Sequence, residues 1–201
     1  MTLTGIVLAG GRSTRMRQDK ASLPFGDDTL LTRAIRLVGS VADEVIVVVQ
    51  SEQGGSNLAL GLAVRVVFDP IENLGPLAGI AAGLAASNSD LNLIVACDMP
   101  LIKPAVLRRL VELCGDADIC VPVVGAEASP LCAVYRSSVA SAAQALLATG
   151  ERRAMRLLDQ VITKRVDAAL FCDLDPQLES FVSCNTPEEL QAALTCRLPG
   201  T

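Results

Sequence analysis

Two places in this chain bring together residue types suited to phosphate chemistry. The first is Gly10-Gly11 followed by Arg12, Arg15, Arg17 and Lys20, with Asp19 as the opposing carboxylate. Glycines let backbone amides approach a phosphate closely. Four cations beside them, in a protein of net charge −5, point to a polyphosphate; a solvated basic turn is the plainer alternative. The second is Asp98, delivered by the apolar run Leu91–Cys97 and followed by Met99-Pro100. Magnesium typically takes one or two carboxylates and completes its shell with substrate phosphates and water. One aspartate emerging beside a basic glycine loop suits such a site, whereas a merely structural Asp98 would cap the turn or helix that follows. Asp69 leaves Val64–Phe68 in the same way, but Asp69-Pro70 also starts turns. Spacing alone leaves those two roles level.

These residues need elements that carry them to one edge. Leu3–Ala9, Val45–Val49, Val64–Phe68, Leu91–Cys97 and Ile119–Val124 read as buried strands rich in Val, Ile and Leu. Between them, Leu30, Leu31, Ala34, Ile35 and Val38 form one helical stripe opposed by Arg33 and Arg36. Val106, Leu107, Leu110, Val111 and Cys114 form another, opposed by Arg108, Arg109 and Glu112. Alternation of this kind predicts right-handed crossovers and a single α/β, Rossmann-like three-layer domain over residues 1–201, with a mainly parallel sheet flanked by helices. Ligands then bind outside the carboxyl ends of the strands. Gly10, Gly11, Asp69, Asp98 and Gln50 or Ser51 all fall there.

Gly79, Ala82, Gly83 and Ala86 share one face of a helix opened by Gly75-Pro76, which predicts close packing on the sheet and amides facing a base or phosphate. The C-terminal third is less regular. Ala154, Leu157, Leu158 and Val161 suggest a helical face, Thr163–Val166 a short edge strand, and Thr186-Pro187-Glu188-Glu189 a capped helix start.

Composition excludes several chemistries. Histidine is absent, which removes Ser-His-Asp hydrolysis, phosphohistidine transfer and histidine-ligated metals. Aromatics at 2% leave no stacking platform for single-stranded nucleic acid, and the acidic total argues against a phosphate-backbone binder. The seven cysteines form no CxxC pair and mostly sit in apolar runs, as small core residues do. The longest apolar run, Leu74 to Ala86, is too short to span a bilayer. A cytoplasmic protein with no membrane or nucleic-acid partner is expected, as a monomer.

Residues 8–26, LAGGRSTRMRQDKASLPFG, resemble the signature of the molybdenum cofactor guanylyltransferases, roughly LAGGxSxRMGxDKAxLxxxG. The resemblance continues through Gly75-Pro76-Leu77-Ala78-Gly79-Ile80, Cys97-Asp98-Met99-Pro100-Leu101 and Pro130-Leu131-Cys132-Ala133-Val134-Tyr135. It then runs on to Gly150-Glu151-Arg152-Arg153 and Asn185-Thr186-Pro187-Glu188-Glu189-Leu190. Cytidylyl relatives usually show LAAG in the first loop and lack GPLAGI. Three positions depart from the family pattern: Arg17 stands where glycine is usual, Ser129 replaces a frequent histidine, and Ser183 replaces one of two asparagines associated with the pterin side.

The resemblance implies the nucleotide-diphospho-sugar transferase type of fold and transfer of GMP from GTP to the molybdenum–molybdopterin cofactor. It places the donor nucleotide in roughly residues 1–100 and the acceptor in roughly 101–201. It implies catalytic roles for Arg15, Lys20 and Asp98, with Mg²⁺ (or Mn²⁺) on Asp98. GTP contacts are implied at Leu8, Ala9, Gly10, Gly11, Lys20, Gln50, Asp69, Gly75, Pro76 and Asp98, and an acceptor contact at Asn185. Other cofactor-biosynthesis proteins or molybdoenzyme chaperones are further expected partners. Competing expectations are a cytidylyl or sugar-phosphate enzyme of the same fold, and a catalytically silent nucleotide-binding regulator.

Overall fold

The structure is a computed structural model and describes residues 2–9, 20–50, 63–69 and 75–197. Its centre is the strand β1 (Leu3–Leu8), flanked in parallel by β4 (Glu44–Val49) and β6 (Leu91–Ala96). Leu8 is level with Val48 on one side and Ala96 on the other, so three strands end at one edge. β5 (Arg65–Phe68) adds in parallel beyond β4. On the other side the order is β6, β9 (Cys132–Arg136), β7 (Ile119–Val124) and β10 (Thr163–Asp167). β9 runs antiparallel to both neighbours, and β10 is parallel to β7. A short β8 (Glu127–Ala128) turns back on β7, while β2 (Pro24–Phe25) and β3 (Asp28–Thr29) form a separate hairpin.

Alternation along the strands builds two cores. Val7, Val45, Val47, Val49, Leu93 and Val95 face α1 (Leu30–Gly39) and α3 (Pro104–Cys114). Ile6, Leu8, Ile46, Val48 and Ile94 face α2 (Pro76–Ala86) and α4 (Val139–Ala148). This three-layer α/β sandwich is the expected fold. The two predicted stripes are the buried faces of α1 and α3, although Val111 is only partly buried. Arg33 differs from the solvated residue that the α1 pattern suggests: its guanidinium lies 5.1 Å over the Phe25 ring, and Nε donates to Pro100 O at 2.5 Å.

Close packing of α2 is concentrated at Gly83, where an added Cβ would lie 2.5 Å from Ile6 Cγ2. Gly75, the N-cap of α2, has φ +72°, and a Cβ there would meet Arg152 O at 2.8 Å.

Two elements depart from the sequence reading. Ala154–Asp159 is a 3-10 helix, its entry fixed by Glu151 Oε1, which accepts from the backbone N–H groups of Arg152 and Arg153. Cys132–Arg136, for which the sequence suggested no element, enters the sheet as antiparallel β9. A third small core joins Leu23, Phe25 and Leu30 to Cys184, Leu190 and Ala193, seating α5 (Pro187–Arg197) against the β2–β3 hairpin. Five cysteines are buried, Cys172 and Cys196 are exposed, and none forms a disulfide. No helix among the described residues is long and apolar enough to cross a membrane.

Candidate active site

Backbone pairing continues one residue past the parallel strands and fixes the groups at their carboxyl edge. Ala9 N donates to Val48 O at 2.8 Å, Asp69 N to Val49 O at 2.8 Å, and Cys97 N to Leu8 O at 3.1 Å. Asp98 follows directly. It caps no helix, since Lys103 is the N-cap of α3. The main-chain oxygen of Asp98 instead accepts from Cys184 N at 2.7 Å, which leaves its carboxylate for the site.

Lys20 arrives from the opposite direction. It opens a 3-10 turn, Lys20–Ser22, that leads into the β2–β3 hairpin, and Leu23 N bonds back to Lys20 O at 3.1 Å. Phe25 anchors the hairpin, being fully buried. Lys20 Nζ donates to Asp98 Oδ2 at 2.9 Å and to Asn185 Oδ1 at 2.7 Å. The side chains of Lys20 and Asp98 are 14% and 18% exposed, so the pair is partly shielded yet reachable.

Lys20 and Asp98 border a cavity of about 220 Å³. Leu8, Ala9, Val48 and Val49 form one wall at the ends of β1 and β4. Gln50, Asp69, Gly75 and Pro76 form another, and Ala96, Cys97, Asp98, Lys20, Gly79 and Leu131 complete the lining. The first turn of α2 therefore opens at the cavity, where its positive dipole end favours an anion, although Pro76 carries no N–H and Leu77 N already donates to Arg152 O at 3.4 Å. Nearby, the Cys184 thiol is pushed up to about 11 by burial and by the charges of Asp98 and Glu189. It stays protonated at neutral pH and offers no nucleophile.

The model of the MobA-like NTP transferase domain family matches residues 5–166. The chain belongs to that family. It is thus a MobA-like nucleotidyltransferase. A protein named probable molybdenum cofactor guanylyltransferase in Pelotomaculum thermopropionicum is 36% identical over 190 residues, covering 94% of this chain and 91% of that protein. One of the same name in Methanothermobacter thermautotrophicus is 34% identical over 194 residues, covering 92% and 95%. Among solved structures, molybdopterin-guanine dinucleotide biosynthesis protein A of Archaeoglobus fulgidus superposes with a TM-score of 0.84 at 24% identity, over 96% of this chain and 97% of that one. The 2-C-methyl-D-erythritol 4-phosphate cytidylyltransferase of Thermus thermophilus gives 0.71 at 16% identity, over 98% of each. Both are likenesses of fold.

In this MobA-like nucleotidyltransferase, Leu8, Ala9, Lys20, Gln50, Asp69, Gly75, Pro76 and Asp98 are brought to one cavity. Gly10, Gly11, Arg12, Arg15, Arg17 and Ser51 lie outside the described residues. Asn185 is not part of the lining and touches the site through Lys20. Sequence reasoning missed Leu131 and the apolar wall of Val48 and Val49. The signal for Leu131 was its place before a strand antiparallel to β6, which returns it to the same edge: Ala96 N donates to Leu131 O at 2.8 Å.

Proposed function

We propose that this MobA-like nucleotidyltransferase transfers GMP from GTP to the terminal phosphate of the molybdenum–molybdopterin cofactor in the cytoplasm. An oxygen of that phosphate attacks the α-phosphorus of GTP, the bond from α-phosphorus to the bridging oxygen breaks, and pyrophosphate leaves. The attacking oxygen is already ionised, so no general base is needed and the absence of histidine is no obstacle. The protein's work is positioning and charge neutralisation.

The observation that carries the reading is the Lys20–Asp98 pair set on a cavity at the carboxyl edge of β1, β4 and β6. Lys20 presents a compact ammonium suited to phosphate oxygens. The apolar wall of Leu8, Ala9, Val48 and Val49 accepts the nucleoside, and the positive dipole end of α2 faces it. Arg15, Gly10 and Gly11 are assigned to the triphosphate and Asn185 to the acceptor side by family resemblance.

The donor set at Asp98 suits Mg²⁺, with Mn²⁺ as an alternative. It is one strand-end carboxylate, and among the described residues no cluster of three or more His, Cys, Asp or Glu side chains forms a closed site. An ion that draws its other ligands from phosphates and water fits this arrangement. Bound there, it would neutralise charge on the phosphates of donor and leaving group.

The test supplies purified protein with Mg²⁺, the molybdopterin cofactor and each nucleoside triphosphate in turn, and measures pyrophosphate. GTP should be strongly preferred. Equal turnover of CTP would overturn the guanylyl assignment. Tight GTP binding without pyrophosphate release would identify a silent regulator, and turnover with a sugar phosphate in place of the pterin would identify a different acceptor.

A further inference from the structure

We propose that Asn185 is a positioning residue for Lys20, holding its ammonium at the nucleotide cavity so that the C-terminal segment sets the affinity for GTP. This rests on the reading of that cavity as the GTP site. Lys20 and Asn185 are 165 residues apart in the chain, yet Lys20 Nζ reaches Asn185 Oδ1 at 2.7 Å, a shorter contact than its 2.9 Å approach to Asp98 Oδ2. Lys20 and Asp98 line the cavity and Asn185 does not. Asn185 therefore acts on the cavity by way of the lysine.

The backbone of Asn185 is held on both sides. On its amino side Cys184 is buried, and its N–H donates to Asp98 O at 2.7 Å. On its carboxyl side a capping box starts α5. Glu189 Oε2 accepts from Asn185 N at 2.5 Å and from Thr186 N at 3.1 Å, while Thr186 Oγ1 accepts from Glu189 N at 3.2 Å. Cys184, Leu190 and Ala193 also pack on Leu23, Phe25 and Leu30, in and on either side of the hairpin that follows Lys20. One small core thus seats both partners of the bond and fixes their separation.

The residue type suits the task. A lysine stem has many rotamers, and a hydrogen bond that selects one spares GTP the entropy of ordering it. The amide oxygen accepts from the ammonium without cancelling its charge, so Lys20 stays attractive to a triphosphate. A carboxylate at position 185 would neutralise it. Asp98 cannot serve as the permanent anchor, because its carboxylate is the group assigned to the divalent cation.

Isothermal titration of the acceptor-free protein with GTP, once with EDTA and once with Mg²⁺, tests this in a double-mutant cycle of Asn185→Ala and Lys20→Met. Asn185→Ala alone should weaken GTP binding about tenfold, as expected for losing a hydrogen bond to a charged group. In the Lys20→Met background it should add no more than about twofold, the usual scatter of additivity. An equal loss in both backgrounds would show general damage to the C-terminal segment and overturn the positioning role. Wild-type affinity in Asn185→Ala alongside weak binding in Lys20→Met would overturn it and leave the nucleotide site standing. Unchanged affinity in Lys20→Met would overturn both. Asn185→Ser, too short to reach Lys20, repeats the cycle, with unliganded thermal unfolding confirming that each variant is folded.

Discussion

Replacing Asp98 with asparagine separates catalysis from stability, because the structure assigns the residue's two contacts to different atoms. The main-chain oxygen, bonded to Cys184 N, survives the substitution. The side-chain change removes one negative charge facing Lys20, at a position where the partners are 14% and 18% exposed. An asparagine oxygen still accepts from the lysine, so the substitution loses only the charge assistance of that bond, about 1 kcal/mol. The melting temperature should therefore fall by no more than about 2–4 °C. Turnover should respond very differently. If the carboxylate holds the divalent cation as proposed, its loss removes charge stabilisation worth several kcal/mol, or roughly a thousandfold in kcat. The assay is pyrophosphate release under saturating GTP and Mg²⁺, beside a thermal melt of the same preparation. Activity within about tenfold of wild type, a difference of only ~1.4 kcal/mol, would refute the metal role. A melt lowered by much more than a few degrees would refute the claim that the side chain is dispensable for folding.

In the basic loop, Lys20→Ala and Arg15→Ala should each depress kcat/KM for GTP strongly, whereas Arg12→Ala and Arg17→Ala should lose little and recover in added salt. A uniform, salt-erased deficit across all four would reduce the loop to a solvated basic face. Gly83→Ala should cost about 1–3 kcal/mol in urea unfolding, because the new Cβ would lie 2.5 Å from Ile6 Cγ2; unchanged stability would contradict that packing. The fully buried Asp175 is pulled two ways: burial raises its pKa, but the hydrogen bonds from Lys103 Nζ (2.6 Å) and Ser180 outweigh it and hold the pKa below the ordinary 3.8. A depressed carboxylate stabilises above its unfolded pKa, so its contribution should be full at pH 6 and fade as pH falls below about 4. Asp175→Asn should thus lose about 1–3 kcal/mol at neutral pH and converge on wild type in acid; a pH-independent gap would contradict the assignment.

The parts of the fold that were legible in sequence are those whose burial leaves a periodic trace. β1, β4, β6 and β7 are continuous apolar runs because both faces of the sheet are covered, and α1 and α3 show clear stripes because one side meets solvent. Placing Asp69 and Asp98 followed from the strands they terminate. β9 was hidden because Cys132–Arg136 is a short run without helix-like spacing, and its direction depends on its neighbours. α4 was hidden because its alanines give a weak contrast, only Val139 and Ala143 being buried. The Lys20–Asn185 bond was illegible for a different reason. It depends on the third small core, and no local pattern announces a contact between residues 165 positions apart.

Isotope tracing tests the proposed reaction most directly. Purified protein, Mg²⁺ and molybdenum–molybdopterin cofactor would be incubated in parallel with GTP labelled at the α- or the γ-phosphate, and the pterin product isolated. The α-label should appear in the pterin dinucleotide and the γ-label in pyrophosphate, with neither transfer seen for Asp98→Asn. Recovery of the γ-label on the pterin, or of both labels in unreacted GTP while the wild-type protein binds it, would contradict nucleotidyl transfer by this site.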